Sequence, residues 1–373
     1  MPQVWIGYDL VKVVRFPYMA EAILNTRVAQ VIIIGAGPIG LELAVAFKKL
    51  NVSYMQFDAG QIGQTIQQYP PHTRFFSSAD RIAIAGVPLQ TADQTKCTRE
   101  EYLAYLRCVV QQFDLRVYSY ERVKTIEPHK DAFSNRFCVS TSSAEGLRFN
   151  LSQHVIIAIG GTAFSRQLNI PGEKLPHVAD VMADPHTYFR KKLLIIGGRN
   201  SAVECALRCH HAGAEVSMSY RKSELDKKSI KYWLLPEITS LIQQNTIPAY
   251  FDTHATEIYS GSVKLSKSDG SSVNVLADFV LKAIGFEADM SLCKMAGVEL
   301  TGPGQVPTLD QATMQTNVPG LYLAGTVTGG TQHRFAVFIE NGHVHVDRIV
   351  RSICGKTVPG AIALPEKYEL EES

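Results

Sequence analysis

The sequence predicts an α/β fold with two doubly wound, mainly parallel sheets. The prediction depends on two segments that share one order: an apolar run, a glycine-rich turn and a helix-like pattern. They are VIIIGAGPIGLELAVAF at residues 31–47 and LLIIGGRNSAVECAL at residues 193–207. Each matches the strand, turn and helix of a Rossmann-type unit. Since one such unit binds one dinucleotide, two units predict two dinucleotide sites on this chain.

The first turn carries all three glycines of the G-x-G-x-x-G fingerprint, at Gly35, Gly37 and Gly40. They allow a tight turn, close approach of a pyrophosphate to the backbone, and close packing of the helix on the strand. Pro38 opens the helix where its missing N–H costs nothing. The next strand ends in Asp58, at the distance where an acid binds a ribose hydroxyl. The segment therefore predicts a nucleotide site.

The second turn departs from this fingerprint. Gly197 and Ala202 hold its first and third places, but Arg199 stands where the second glycine belongs. A side chain there hinders close approach of the backbone, although a guanidinium can itself bind a phosphate. The candidate binding residues of this turn are Gly197, Gly198, Arg199, Asn200, Ser201 and Ala202.

The strand after the second helix ends in Arg221 and Lys222 rather than in an acid. An acid here would repel the 2′-phosphate of NADPH, whereas a base accepts it. The pair therefore favours NADPH over NADH, with a solvated basic turn as the alternative. Together the two turns indicate FAD at the first and NADPH at the second, with electron transfer between them.

Three later segments predict how the chain is divided into domains. HVIIAIGG at 154–161 and FVLKAIGF at 279–286 are ordinary buried strands when taken alone, but together they predict the crossovers between two domains. NVPGLYLAGTVTGG at 317–330 predicts a strand that returns to the flavin. The predicted parts are an N-terminal extension of unknown role at 1–27, the first part of the FAD domain at 28–160, an inserted NADPH domain at 161–286, and the second part of the FAD domain with the C-terminal tail at 287–373.

Composition limits the possible partners. Of the 373 residues 46% are hydrophobic and 19% are charged, and the net charge is +2, which supports buried cores and predicts no nucleic-acid partner. Glycines and a proline interrupt the longest apolar run, so we expect no membrane partner. Cysteine usage and the lack of a signal-peptide pattern favour a cytoplasmic location. His343 and His345 lack the spacing of a metal site, so we expect no metal.

The order GAGPIG, AIGG, GGRNSA, AIGF and GLYLAG resembles the thioredoxin-reductase-like flavoproteins over nearly the whole chain after residue 28. YPPHTRFFSSAD at 69–80, WLLPE at 233–237 and FIENGHVH at 338–345 are more similar to the bacillithiol disulfide reductases. The resemblance implies an FAD-dependent enzyme that oxidises NADPH and reduces a low-molecular-weight disulfide. It also implies that Ile39, Gly325 and Thr326 lie at the flavin. We further expect a homo-oligomer.

Two positions depart from these families, and the chain has no C-x-x-C pair. Ile39 stands where the bacillithiol disulfide reductases typically have a cysteine, and isoleucine cannot attack a disulfide. Thr326 replaces the aspartate that often follows GLYLAG in related FAD enzymes. The catalytic residues and the acceptor, a small molecule or a small redox protein, therefore stay open. The alternatives are a ferredoxin-type NADPH reductase, a flavin-monooxygenase-like enzyme and a non-catalytic flavoprotein that senses NADPH.

Overall fold

The computed structural model describes residues 26–129, 136–332 and 336–357. The predicted N-terminal extension lies outside these ranges except for residues 26 and 27, which already belong to the first strand. The described residues form nineteen strands, β1 to β19 in chain order: Thr26–Ile34, Tyr54–Phe57, Val117–Tyr118, Arg122–Pro128, Phe137–Ser143, Gly146–Ile157, Phe164–Ser165, Val178–Ala179, Lys192–Ile196, Glu215–Tyr220, Ala249–Phe251, Thr253–Ile258, Ser262–Lys267, Ser272–Leu276, Phe279–Lys282, Phe286–Glu287, Leu300–Thr301, Val306–Pro307 and Leu321–Leu323.

Eight α-helices, α1 to α8, occur in the same ranges: Pro38–Lys49, Gln64–Gln67, Ala79–Ile82, Arg99–Gln112, Asn200–His211, Leu235–Gln243, Ser291–Met295 and Ile339–Cys354. Short 3-10 helices occur at Pro185–Tyr188, Lys227–Ser229 and Gly325–Gly329. Helix α1 begins at the proline predicted to open it. Helix α5 begins directly after the second glycine turn, as the sequence predicts.

The first sheet has the strand order β3-β2-β1-β6-β5-β4, and β19 also pairs with β6. The strands β3, β2, β1, β6 and β19 are parallel, while β4 and β5 form an antiparallel edge. The pairing of Leu323 with Ile157 returns the late part of the chain to a strand that ends more than 150 positions earlier. Two distant stretches of sequence therefore complete one sheet.

The second sheet is formed by the residues between those two stretches. Its order is β11-β10-β9-β15-β8, and every pairing in it is parallel. A separate antiparallel meander, β12-β13-β14, packs on one face of this sheet, and α5 covers the other. Both faces are buried, which explains why β9 is almost continuously apolar.

A two-stranded ribbon connects the two sheets. β7 and β16 pair antiparallel, with Phe286 opposite Ser165 and Glu287 opposite Phe164. The backbone N–H of Ala163 also donates to the carbonyl oxygen of Glu287 at 2.9 Å. The chain thus enters the second sheet after β7 and leaves it before β16, and these two strands are hydrogen-bonded to each other.

Buried side chains cover both faces of the first sheet. Val31 and Ile33 of β1 face a core shared with α1, α4 and α8, while Ile32 and Ile34 face a core shared with α7. This alternation places the carboxyl ends of β1, β2, β6 and β19 at one edge of the sheet. In open parallel sheets ligands bind at this edge.

Candidate dinucleotide-binding sites

The first glycine turn follows β1, next to the end of β6. Gly35 has a φ of +111°, and a Cβ there would lie 2.4 Å from the carbonyl oxygen of Ala158. A Cβ on Gly40 would lie 2.2 Å from the carbonyl oxygen of Gly35, so α1 packs on the turn with no space for a side chain. Gly37 has a φ of −76°, and no atom of the described residues lies within 4 Å of a Cβ built on it. The structure therefore leaves open space at the glycine predicted to face a pyrophosphate, which fits a bound dinucleotide.

Asp58 directly follows β2 and holds the first turn. Its Oδ2 accepts a hydrogen bond from the N–H of Ala36 at 2.7 Å, and its Oδ1 accepts one from the N–H of Gly60 at 2.8 Å. Burial raises the pKa of this carboxyl, and the two backbone hydrogen bonds and the charge of Arg122 limit the rise. Each carboxylate oxygen keeps a second lone pair, so the same group can also accept from a ribose hydroxyl.

Ile39, near the start of α1, is only 6% exposed. A Cβ on Gly325 would lie 3.3 Å from its Cγ1, and a Cβ on Gly342 would lie 2.9 Å from its Cδ1. The isoleucine thus packs between the turn after β19 and the first turn of α8. The N–H of Gly325 donates to His345 Nδ1 at 3.1 Å. Burial, with the charge of Arg348, lowers the pKa of His345 to about 4, so this ring is neutral at neutral pH.

Thr326 lies against the glycine pair that follows β6. A Cβ on Gly161 would lie 3.1 Å from the carbonyl oxygen of Thr326, and one on Gly160 would lie 3.8 Å from its Oγ1. Gly160 has a φ of +83°, which lets the chain turn away from the sheet. The AIGG segment, predicted as a crossover, and the GLYLAG segment, predicted to return to the flavin, are therefore in contact.

The second glycine turn repeats the geometry of the first. Gly197 has a φ of +146°, and a Cβ there would lie 2.4 Å from the carbonyl oxygen of Ala283. A Cβ on Gly198 would lie 2.3 Å from the ring of Tyr220, which packs over the turn. Arg199 has an extended backbone with a φ of −108°, so its side chain is accommodated without strain. The arginine, unlike Gly37, adds a long side chain at the helix N-terminus.

The next three residues of this turn have different environments. Oδ1 of Asn200 accepts a hydrogen bond from the backbone N–H of Lys231 at 3.1 Å, so this amide holds a neighbouring loop. Ser201 is exposed, and Ala202 is fully buried against the sheet. Of the three, Ser201 is the most exposed, and Asn200 is half-buried.

Arg221 and Lys222 directly follow β10, and both are exposed. The Nζ of Lys222 lies 3.9 Å from Oδ2 of Asp226, and the Nε of Arg199 lies 3.8 Å from the same oxygen. The structure thus brings the predicted helix arginine and strand-end lysine to one carboxylate. Sequence reasoning missed Asp226, although an acid five residues after Arg221 was a visible signal.

A second feature that sequence reasoning missed joins the two halves of the molecule. The Nζ of Lys231 donates to Glu204 at 2.7 Å and to the carbonyl oxygen of Arg74 at 2.8 Å. The rings of Phe76 and Trp233 stack beside this contact, with centroids 5.9 Å apart. The RFFSSAD and WLLPE segments, both part of the family resemblance, therefore contact each other across the two sheets.

The cysteines form no redox pair. All seven are free: Cys97, Cys108, Cys138, Cys205, Cys209, Cys293 and Cys354. Burial raises the pKa of Cys97, Cys209 and Cys293 to about 12, and it raises that of Cys205 further. A thiol attacks as its thiolate, so these four are poor nucleophiles at neutral pH.

Two glycine turns, each at the carboxyl end of a parallel strand and each followed by a helix, define an oxidoreductase with two dinucleotide sites. The chain belongs to the pyridine nucleotide-disulphide oxidoreductase family, whose model matches residues 32–325. It is an enzyme that uses FAD and NADPH. The predicted α/β fold with two Rossmann-like units, the enzyme class and the two cofactors are confirmed.

Several relatives agree with this assignment. The chain is 32% identical over 324 residues to the bacilliredoxin reductase Bdr of Bacillus subtilis. This match covers 87% of this chain and 97% of that protein. The structure of the bacillithiol disulfide reductase Bdr from Bacillus cereus matches with a TM-score of 0.82 and 33% identity, over 88% of this chain and 99% of that one. A ferredoxin–NADP reductase of Ignicoccus hospitalis is 24% identical over 84% of this chain and 94% of its own. The predicted resemblance to bacillithiol disulfide reductases is confirmed.

Within the ranges that the structure describes, no helix is both long and apolar enough to cross a bilayer.

Proposed function

We propose that the two turns hold the two cofactors as the sequence predicts. The FAD residues are Gly35, Gly37, Pro38, Ile39, Gly40, Asp58, Gly325 and Thr326. The NADPH residues are Gly197, Gly198, Arg199, Asn200, Ser201, Ala202, Arg221 and Lys222. The open space at Gly37 supports the FAD site, and the basic residues around Asp226 support the NADPH site.

The proposed FAD domain consists of residues 28–160 and 287–373, and the NADPH domain of residues 161–286. Two observations support these limits. β19 completes the first sheet from beyond the second, and the β7–β16 ribbon lies at the two junctions. The first strand begins at Thr26, two residues before the proposed limit.

The acceptor that the chain supports best is a low-molecular-weight disulfide of the bacillithiol type. The likeness to the two Bdr proteins supports a disulfide. FAD held by the first turn would supply two-electron chemistry between NADPH and the disulfide; overall, NADPH, one proton and the disulfide would give NADP⁺ and two thiols. The chain's own residues would hold the cofactors, and none of its thiols would form a mixed disulfide.

The packing of Ile39 supports the proposal that no thiol of the chain forms a mixed disulfide. In the bacillithiol disulfide reductases a cysteine typically occupies this position. Here a buried isoleucine fills the space between Gly325 and Gly342. The raised thiol pKa values of Cys97, Cys205 and Cys209 also argue against a relay elsewhere. No thiol of the chain would therefore take part between the flavin and its acceptor.

Stopped-flow kinetics test this proposal. The FAD-loaded enzyme is first reduced by NADPH and is then mixed with bacillithiol disulfide, and flavin absorbance reports reoxidation. We expect the same rate constant in the wild type and in each of the seven Cys→Ser variants. Loss of reoxidation in one variant, with its FAD content unchanged, would show a relay that the structure did not reveal.

A protein acceptor such as ferredoxin is the second candidate. Ile39 favours this candidate, because reduction of an iron–sulfur partner needs no cysteine. The relative from Ignicoccus hospitalis is named a ferredoxin–NADP reductase. A parallel stopped-flow arm with reduced enzyme and ferredoxin separates the two. Fast reoxidation by ferredoxin with none by the disulfide would replace the first proposal with the second.

The proposed setting is a cytoplasmic homo-oligomer that binds neither nucleic acid nor membrane. Seven free cysteines support a reducing compartment, and a net charge of +2 supports the absence of a nucleic-acid field. Light scattering on the purified FAD-loaded protein measures the assembly. A mass equal to one chain would contradict the homo-oligomer.

A further inference from the structure

One carboxylate lies between two cations of the proposed NADPH site. Oδ2 of Asp226 is 3.8 Å from the Nε of Arg199 and 3.9 Å from the Nζ of Lys222. The Asp226 side chain is about a quarter exposed, whereas the two cations are about half exposed. The acid is thus the most buried member of the group.

The positions of the two cations indicate what else would bind there. Arg199 precedes the first residue of α5, and Lys222 lies two residues after β10. In a Rossmann unit the adenosine ribose lies between these two places, and its 2′-phosphate contacts basic residues there. A 2′-phosphate and the Asp226 carboxylate would therefore compete for the same two cations.

We infer that Asp226 is a built-in counter-ion of the 2′-phosphate site, and that it competes with the ligand phosphate for Arg199 and Lys222. The inference rests on the proposed NADPH assignment, and it adds Asp226 as a residue that weakens NADPH binding. Before binding, Asp226 neutralises the two cations. Once a phosphate contacts them, the same acid lies a few ångströms from a second anion and repels it. Asp226 thereby lowers the affinity for NADPH and leaves that for NADH unchanged.

The loop also supplies a matched control. Glu224 lies two residues from Asp226, and its Oε2 pairs with the Nζ of Lys227 at 3.6 Å rather than with the two site cations. Glu224→Gln and Asp226→Asn remove the same charge from the same loop. The carbonyl oxygen of Asp226 accepts hydrogen bonds from Ser229, and asparagine keeps these contacts. A difference between the two variants therefore reports the charge at the site rather than loop stability.

Calorimetric titration of the FAD-loaded protein with 2′,5′-ADP and with 5′-ADP measures the effect without turnover. We expect Asp226→Asn to bind 2′,5′-ADP about fivefold more tightly than the wild type, and to bind 5′-ADP equally well. Glu224→Gln should match the wild type for both ligands within about twofold. Raising the salt concentration should reduce the gain, because exposed charges are screened.

A double variant tests the path of the effect. With Arg199 replaced by alanine, Asp226→Asn should strengthen 2′,5′-ADP binding less than it does alone, because one of the contested cations is gone. Unchanged or weaker binding by Asp226→Asn, in a protein whose wild type prefers 2′,5′-ADP, would overturn the counter-ion inference alone. A wild type that binds both nucleotides equally would instead overturn the NADPH assignment and the inference with it.

Discussion

Gly37 and Arg199 hold the same place in the two turns, yet only one of them is glycine. Both have extended backbones, with φ of −76° and −108°, that any residue adopts. Conformation therefore does not require glycine at either position. The difference must come from the space that each ligand needs. The three-glycine turn leaves the backbone open to a pyrophosphate, whereas the second turn offers a guanidinium for an anion.

Replacing Gly37 with valine should therefore abolish FAD binding without unfolding the chain. The added side chain meets no atom of the described residues within 4 Å of its Cβ, so the protein itself tolerates it. The pyrophosphate does not, because its site lies against that backbone. We expect colourless protein with a circular dichroism spectrum like that of wild-type apoprotein. A variant that keeps full FAD content would show that the site lies elsewhere.

Arg221→Ala tests the strand end. The arginine is exposed, so its removal costs the fold little, but it deletes a charged donor to the 2′-phosphate. We expect NADPH binding to weaken by about 1.5–3 kcal/mol, with NADH binding nearly unchanged. Fluorescence titration of both cofactors on the FAD-loaded variant measures this. Equal losses for both would mean that Arg221 acts through the fold.

At the scale of the element, α8 carries two histidines whose pKa values shift in opposite directions. Burial lowers the pKa of both, but Oε2 of Glu42 lies 2.6 Å from Nδ1 of His343 and raises the pKa of that histidine above its usual value. His345 faces the N–H of Gly325, and its pKa falls to about 4. His343 thus connects α8 to α1 through Glu42, which favours its protonated form, while neutral His345 connects α8 to the turn after β19.

The two histidines should give stability opposite dependences on pH. Folding raises the pKa of His343, so this histidine stabilises the folded state fully below the pKa of the unfolded chain, near 6.5. That stabilisation is lost as the pH rises through the pKa of the folded state. The gap in unfolding free energy between wild type and His343→Gln should therefore be larger at pH 6 than at pH 9. Folding lowers the pKa of His345, so this histidine stabilises the folded state at pH values above the pKa of the unfolded chain. That stabilisation is lost as the pH falls toward the folded-state pKa of about 4.

The corresponding gap for His345→Gln should then shrink by up to about 3 kcal/mol between pH 7 and pH 4. Urea unfolding of the FAD-loaded proteins at pH 4, 6, 7 and 9 measures both gaps. Each variant serves as the control for the other, since both change one histidine of the same helix. Parallel profiles for the two variants would contradict the assignment of their partners.

At the scale of the whole molecule, the sequence predicted what depends on local order. The strand–turn–helix patterns predict two sheets, and the segment at 317–330 predicts a strand that returns to the flavin; in the structure β19 of this segment pairs with β6 of the first sheet. Contacts between residues far apart in sequence could not be predicted in this way. The bond from Lys231 to the carbonyl oxygen of Arg74 spans 157 positions, and the packing of Ile39 on Gly342 depends on how α8 meets α1. Such contacts follow from the assembled fold and leave no periodic signal.

Lys231 should couple the two halves of the molecule. Its side chain is only 5% exposed and pairs with Glu204, so Lys231→Met leaves a nearly buried charge without its partner. We expect a loss of about 3–5 kcal/mol, and part of it should return in the double variant with Glu204→Gln. Trp5→Phe leaves Trp233 as the single tryptophan, and its fluorescence then reports the contact with Phe76.

In that background the tryptophan and flavin signals should change together as urea unfolds the protein. With Lys231→Met the tryptophan transition should come first, because the second sheet then separates from the first before FAD is released. Coincident transitions in the variant would show that the β7–β16 ribbon and the remaining contacts suffice to unite the two halves.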